Sequence, residues 1–200
     1  MKNLLLGGLL GGLLLTVPAL AKPRVRILAT GGTIAGVQAV PGQGDYKPGA
    51  ITVEALLASS PHAGDHADLS AEQVANIGSN DMNDAVWLKL VRRVEAALAD
   101  PAVDGVVITH GTDTMEETAW LLERATGGDK PVVLVGSMRP STAVSADGPA
   151  NLENAITLAA SAEARSRGVM VALNDTIHGA RVVMKTHGTR VVAFSSPYRG

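Results

Sequence analysis

The sequence predicts an α/β fold, a doubly wound and mostly parallel sheet with helices on both faces. Two observations carry that expectation. Four short Val/Ile/Leu runs end in polar residues, as strands covered on both faces do. The stretches between them repeat their apolar positions with a period near 3.6, as helices do. Composition agrees: 200 residues that are 46% hydrophobic and 18% charged make a globular chain with enough apolar mass for one sizeable core.

The opening "MKNLLLGGLLGGLLLTVPALA" stands apart from this pattern. It has Lys2, an apolar run from Leu4 to Leu15, then Pro18 and the small-x-small end Ala19-Leu20-Ala21. That layout predicts a secretory signal peptide over residues 1–21, cleaved after Ala21. A permanent membrane anchor is the rival, because the run approaches a spanning length. Pro18 and the Ala-x-Ala end favour cleavage. The remaining chain, residues 22–200, is then expected in the periplasm or secreted, with no membrane partner.

The first strand is expected over 25–30, "VRILAT". Segment 37–49 has five Gly or Pro among thirteen residues and reads as a flexible loop. Residues 84–99 place Val86, Leu90, Val94 and Ala97 on one stripe, a helix that Asp100-Pro101 ends. A strand follows over 103–110, then a helix over 114–125 with Gly127 placed to stop it. Another strand is expected over 130–137. Pro149 suits a helix's first turn, and that helix is expected to reach Arg165. The last strand is expected over 168–175. In such a sheet the crossovers are right-handed and ligands gather at the strands' carboxyl ends. The chain closes on "SSPYRG" with no terminating helix, which reads as a truncation.

Composition also removes function classes. The net charge is −2 and the basic residues are scattered, so no nucleic-acid partner is expected. Aromatic residues are only 2%, too few for base-stacking platforms. Cysteine is absent, which excludes a thiolate nucleophile, disulfides and Cys-based zinc sites. "HAGDHAD" gathers His62, Asp65, His66 and Asp68, yet Gly64 opposes the helix that would align the two histidines. A solvated loop is expected there, and no metal. His110 is expected either to orient a hydroxyl or to be a satisfied core residue.

The stretch "ILATGGTIAG" carries the first chemical signal. Two glycines directly after a strand usually let the backbone approach something closely. Gly31 and Gly36 have the outer spacing of a dinucleotide fingerprint, but Thr33 occupies its middle glycine position, and no Lys-Ser/Thr follows Gly36 as a phosphate loop requires. A tight turn needing glycine torsions is the plain alternative. A second strand end, "VVITHGTDTMEETA", repeats the pattern of glycine followed by threonine. Two such ends in one α/β sheet bring two hydroxyls and two sets of free amides towards one crevice. A threonine hydroxyl needs a proton acceptor to attack, and amides can hold an oxyanion, so the equipment suits acyl transfer. Tyr46 is a candidate relay, with an exposed loop tyrosine as its alternative. Lys185 is a candidate base if desolvated, with a solvated surface lysine as its alternative.

Five motifs in order, "ILATGGTIAG", "NIGSNDMND", "ITHGTDTMEETA", "VLVGSMRPSTAVSADGPANLENA" and the segment ending at Lys185, make the chain from Val25 to Thr186 resemble the amino-terminal domain of a secreted, type II bacterial L-asparaginase. The resemblance implies hydrolysis of L-asparagine to L-aspartate and ammonia, with some glutaminase activity, and no cofactor. It implies Thr33 as the nucleophile of an acyl-enzyme, assisted by Tyr46, and a relay of Thr112, Asp113 and Lys185. Ser79 and Asp113 would hold the substrate's α-carboxylate and α-amino groups, and the Gly32 and Thr112 amides would line the oxyanion site. Asn80 stands where the family has Gln or Glu, and Val182 and Met184 stand where it favours an acid and a threonine. The family's smaller second domain, which completes a neighbouring subunit's site in a homotetramer, has no counterpart in these 200 residues. Two alternatives follow: the amidase subunit of a tRNA-dependent amidotransferase, which the leader opposes, and a catalytically dead amino-acid-binding module.

Overall fold

The computed structural model describes residues 21–42 and 44–197. The predicted leader, Ala21 excepted, lies outside the described residues. Among the described residues the elements begin with strand β1 (Arg24–Gly31) and the short hairpin strands β2 (Val37–Gln38) and β3 (Tyr46–Lys47). Helix α1 (Val53–Ala58), strand β4 (Asp68–Ile77), helix α2 (Asp84–Ala99) and strand β5 (Gly105–Thr109) follow. Then come α3 (Met115–Ala125), β6 (Val132–Val135), α4 (Gly148–Ala160), β7 (Val169–Leu173), β8 (Thr176–Gly179), β9 (Met184–Lys185) and β10 (Phe194–Ser195).

Six strands form one sheet in the order β4-β1-β5-β6-β7-β8. The first five run parallel and β8 returns antiparallel on β7. The expected α/β class, mostly parallel, is therefore the observed one. From β1 the chain crosses outward to β4, then back past β1 to β5, so the winding reverses between β1 and β5. That is a topological switch point, where open α/β sheets bind ligands.

Period-two alternation divides the core between the two faces. Leu28, Val106, Ile108, Leu134 and Val171 point towards α2 and α3, where Leu90, Val94, Ala119 and Leu122 cover them. Ile27, Ala29, Val107, Val133 and Val135 point the other way, against Leu56 of α1 and Leu152, Ala155 and Ile156 of α4. Each fully buried Leu or Ile contributes about 1.5–3 kcal/mol, which is what holds the layers together. Asn83 starts α2 by accepting the Val86 N–H on its side-chain oxygen, 3.2 Å away.

Several boundaries differ from expectation. The last expected strand stops at Leu173, because Asn174 and Asp175 take positive φ (49° and 58°) and turn the chain into β8. Those torsions at two central residues are the type I′ hairpin turn, which Asn and Asp tolerate. The helix expected to reach Arg165 ends at Ala160, where Ser161 caps a separate 3₁₀ turn by accepting the Glu163 N–H at 3.2 Å. Helix α3 ends at Ala125 as expected, but the residue that caps it is Thr126 rather than Gly127, its hydroxyl donating to Leu122 O at 2.7 Å. The expected flexible loop over 37–49 carries the β2–β3 hairpin, with Val37 opposite Lys47 and Gln38 opposite Tyr46. Edge strand β4 and the short helix α1 are additions to the sequence reading.

Candidate active site

Thr33 and Thr112 stand just past the carboxyl ends of β1 and β5, the two strands that flank the switch point. Gly31 and Gly32 have φ of 106° and 81°, torsions that residues with a Cβ rarely adopt. A Cβ on Gly32 would lie 2.3 Å from the Gly111 nitrogen and 2.5 Å from its Cα. The close approach signalled by the glycine pair is thus first of all to the main chain of the neighbouring strand end. It brings the turn holding Thr33 against the turn holding Thr112.

The Thr33 hydroxyl lies 2.7 Å from the Tyr46 hydroxyl, a bond in which either can donate. Thr33 is buried and Tyr46 is 40% exposed. Hairpin β2–β3 brings Tyr46 back over Gly36, and its far side is tied down. Ser141 donates its N–H and its hydroxyl to Gly36 O at 2.9 and 2.6 Å, and Gln38 donates its N–H to Thr142 Oγ1 at 2.9 Å. The tyrosine expected on a loop is therefore held by a two-strand frame against the threonine.

At the second strand end the Lys185 ammonium donates to Thr112 Oγ1 at 2.7 Å and pairs with Asp113 Oδ1 at 2.5 Å. Its side chain is 12% exposed, so the lysine is drawn in but paired, not isolated in apolar surroundings. Lys185 sits on β9, opposite Phe194 of β10. Its main-chain N–H donates to Glu116 Oε2. Ser79 is buried in a 3₁₀ turn after β4. Its hydroxyl accepts the Asp113 N–H at 3.1 Å, and its carbonyl accepts the Thr114 hydroxyl at 3.0 Å. Ser79, Thr112, Asp113 and Lys185 therefore form one connected cluster, while Asn80 faces solvent beside it.

One expectation needs correction. The Gly32 N–H donates to Ile77 O at 2.8 Å, so the fold has already used the amide expected to line an oxyanion site. Thr33 opens the following 3₁₀ turn, whose first N–H groups have no acceptor within the turn. His110 orients a hydroxyl, but that of Thr118 (Nε2 to Oγ1, 2.9 Å), with Nδ1 on Gly111 O at 2.6 Å. Trp87 Nε1–H also donates to Thr118 Oγ1, at 2.8 Å. Burial pushes the His110 pKa down to about 4, so the ring is neutral at physiological pH, a satisfied core residue. In the 62–68 segment, His62 and Asp65 form an exposed ion pair 2.9 Å apart, and the hydrogen bond to Asp65 raises the histidine's pKa. A cavity of 410 Å³ between α4 and the β7–β8 turn, lined by Asn151, Asn154 and Asp175, lies apart from the Thr33–Thr112 corner.

Comparison with known proteins gives the family of this fold. The family profile described as "Asparaginase, N-terminal" matches residues 24–200. L-asparaginase 2 of Bacillus subtilis is 50% identical over 179 residues, which cover 89% of this chain and 48% of that protein. The "Probable L-asparaginase periplasmic" of Haemophilus influenzae is 49% identical over 178 residues, 89% of this chain and 50% of that one. The crystal structure of a probable cytoplasmic L-asparaginase from Campylobacter jejuni superposes with a TM-score of 0.85 at 54% identity. That alignment covers 88% of this chain and 54% of the other. The chain thus spans about half the length of the relatives it matches. On the profile and on identities near one half, the chain belongs to the asparaginase family, matching it through that family's amino-terminal domain.

Proposed function

We propose that the chain supplies the acylation chemistry of an L-asparagine amidohydrolase. The observation that carries the reading is the pair of hydroxyl networks at one switch point, Thr33 with Tyr46 and Thr112 with Lys185 and Asp113. In the first step Thr33 Oγ attacks the side-chain amide carbon, its proton passes through Tyr46 towards the leaving nitrogen, and ammonia departs. The N–H groups of Thr112 and Thr33 hold the oxyanion, a role that leaves Gly32 to the fold. In the second step water, oriented by Thr112 and Lys185, attacks the ester; aspartate leaves and the Thr33 hydroxyl is restored. Both steps pass through a tetrahedral oxyanion, so one set of donors serves both. Ser79 and Asp113 receive the substrate's α-carboxylate and α-ammonium. Asn80, shorter than the family's usual residue, leaves room beside the α-ammonium, and glutamine is a candidate second substrate.

Ammonia release from L-asparagine tests the reading, with hydroxylamine added to trap the acyl-enzyme as aspartyl hydroxamate. A protein carrying this chain together with the family's second domain should release ammonia and form hydroxamate, and Thr33→Ala should lose at least about a thousandfold in both, as removal of a nucleophile does. Aspartate binding by calorimetry with no ammonia release on long incubation would establish the binding-module reading instead. Residues 1–21 are proposed as a cleaved leader that directs the protein to the periplasm or the medium. Amino-terminal sequencing of the exported product should begin at Lys22. A homotetramer is proposed for the full assembly, and light scattering after size exclusion measures it.

A further inference from the structure

We infer that Glu116 is a positioning residue for Lys185, a clamp that ties the strand carrying the lysine to the helix that follows its partners. The inference rests on the amidohydrolase reading of the Thr112–Asp113–Lys185 cluster. Glu116 is the second residue of α3 and lies in its first turn, where a carboxylate usually needs no reason beyond the helix dipole. Its Oε2 is instead taken by the main-chain N–H of Lys185, 69 residues away. The same lysine reaches back with its ammonium to Thr112 and Asp113, the residues four and three positions before Glu116. Lys185 is therefore gripped at both ends by one short segment, its backbone by Glu116 and its head by Thr112 and Asp113.

The grip is needed because β9 is a weak platform. It has two residues and, among the described residues, pairs only with the two residues of β10 and is no part of the main sheet. Met184 beside the lysine is 52% exposed. A lysine on such a strand has a long flexible stem, and an ångström of drift at its base moves the ammonium out of line with the Thr112 hydroxyl. A charge-assisted bond from a carboxylate to the backbone fixes that base without using the side chain.

The test uses the protein in the same form as the ammonia assay, with isotopically labelled lysine, reading amide hydrogen exchange at Lys185, the chemical shift of its side chain, and ammonia release. Glu116→Ala should speed exchange at the Lys185 amide by about tenfold or more, the worth of one charge-assisted hydrogen bond, and leave exchange within β5 unchanged. Its Lys185 side-chain signal should move towards that of solvated lysines, and kcat should fall roughly ten- to a hundredfold at nearly constant KM. Glu116→Gln still offers an oxygen to the N–H and should restore most of each effect. Added to Lys185→Met, Glu116→Ala should cost nothing more in kcat. Unchanged exchange and side-chain shift in Glu116→Ala would overturn the clamp, as would losses that multiply in the double variant. Native turnover in Lys185→Met would instead remove the lysine from the chemistry, and exchange at residue 185 would still decide the clamp.

Discussion

Gly32 and Thr109 show opposite tolerances within a few ångströms of the sheet's carboxyl edge. Gly32 has φ 81° and no room for a Cβ beside Gly111. Gly32→Ala is expected to carry about 1–2 kcal/mol of backbone strain and to push the two threonine turns apart. Ammonia release should fall by about a hundredfold or more for that displacement, beyond what the change in thermal stability accounts for. Native turnover would show that the contact between the turns is not needed for the reaction. Thr109 is fully buried at the end of β5, and among the described residues its hydroxyl has no hydrogen-bond partner. Val has the same shape without the orphaned oxygen, so Thr109→Val should raise stability by about 1 kcal/mol. A higher urea midpoint with unchanged turnover is the expected result; a lower midpoint would mean that the hydroxyl is satisfied by an ordered water.

The β2–β3 hairpin is the element on which the proposed nucleophile depends most. A Cβ on Gly36 would lie 2.8 Å from the Tyr46 ring and 2.9 Å from the main-chain oxygen of Thr33, while the backbone there has extended torsions that alanine adopts freely. Gly36→Ala should therefore displace the phenol from Thr33, at some cost in stability from the contact with Thr33 O. The acylation rate, read as the hydroxamate burst, should drop by roughly tenfold or more. An unchanged burst would show that Tyr46 does not assist Thr33. This hairpin was also the hardest element to read from sequence, because strands of two residues show no periodicity and their Gly/Pro-rich connection looks like any loop. Edge strand β4 was hidden for a different reason. An edge strand that α1 and α2 cover only in part, it buries only Val74 fully, so its sequence "DLSAEQVANI" lacks the apolar run that marked β1, β5, β6 and β7. Helix α2, amphipathic over four turns, was legible to its end residues. At the site, Thr33 and Thr112 were visible as repeated strand-end signals, whereas Lys185 stood only as a candidate base beside the solvated-lysine alternative and Ser79 entered through resemblance, since contacts across 73 and 34 residues leave no local pattern. Glu116 was missed because an acid in a helix's first turn is ordinary.

At the scale of the whole molecule, buried histidines set how the fold responds to acid. His110 lies in the core between β5 and α3, and burial lowers its pKa from 6.5 to about 4; burial lowers that of His178 as well. In the unfolded chain both titrate near 6.5. Below that pH the unfolded state takes up protons that the folded state refuses, so stability is full above about pH 6.5 and falls as pH drops to the folded-state pKa. For His110 the difference corresponds to about 3 kcal/mol by pH 4, a large share of a total that is typically about 5–15 kcal/mol. Other groups act elsewhere. Asp104, held low by its bond to Arg24, loses its contribution below the usual carboxylate pKa near 3.8, and the raised pKa of exposed His62 has the opposite sign. The interval between about 6.5 and 4 therefore belongs mainly to the two buried rings. His110→Gln keeps a donor for Gly111 O and an acceptor for Thr118 but does not titrate. The urea midpoint of the native chain should fall markedly between about pH 7 and pH 4.5, and that of His110→Gln should fall much less, leaving the smaller slope due to His178. Equal falls in both proteins would place the acid sensitivity outside the core histidine.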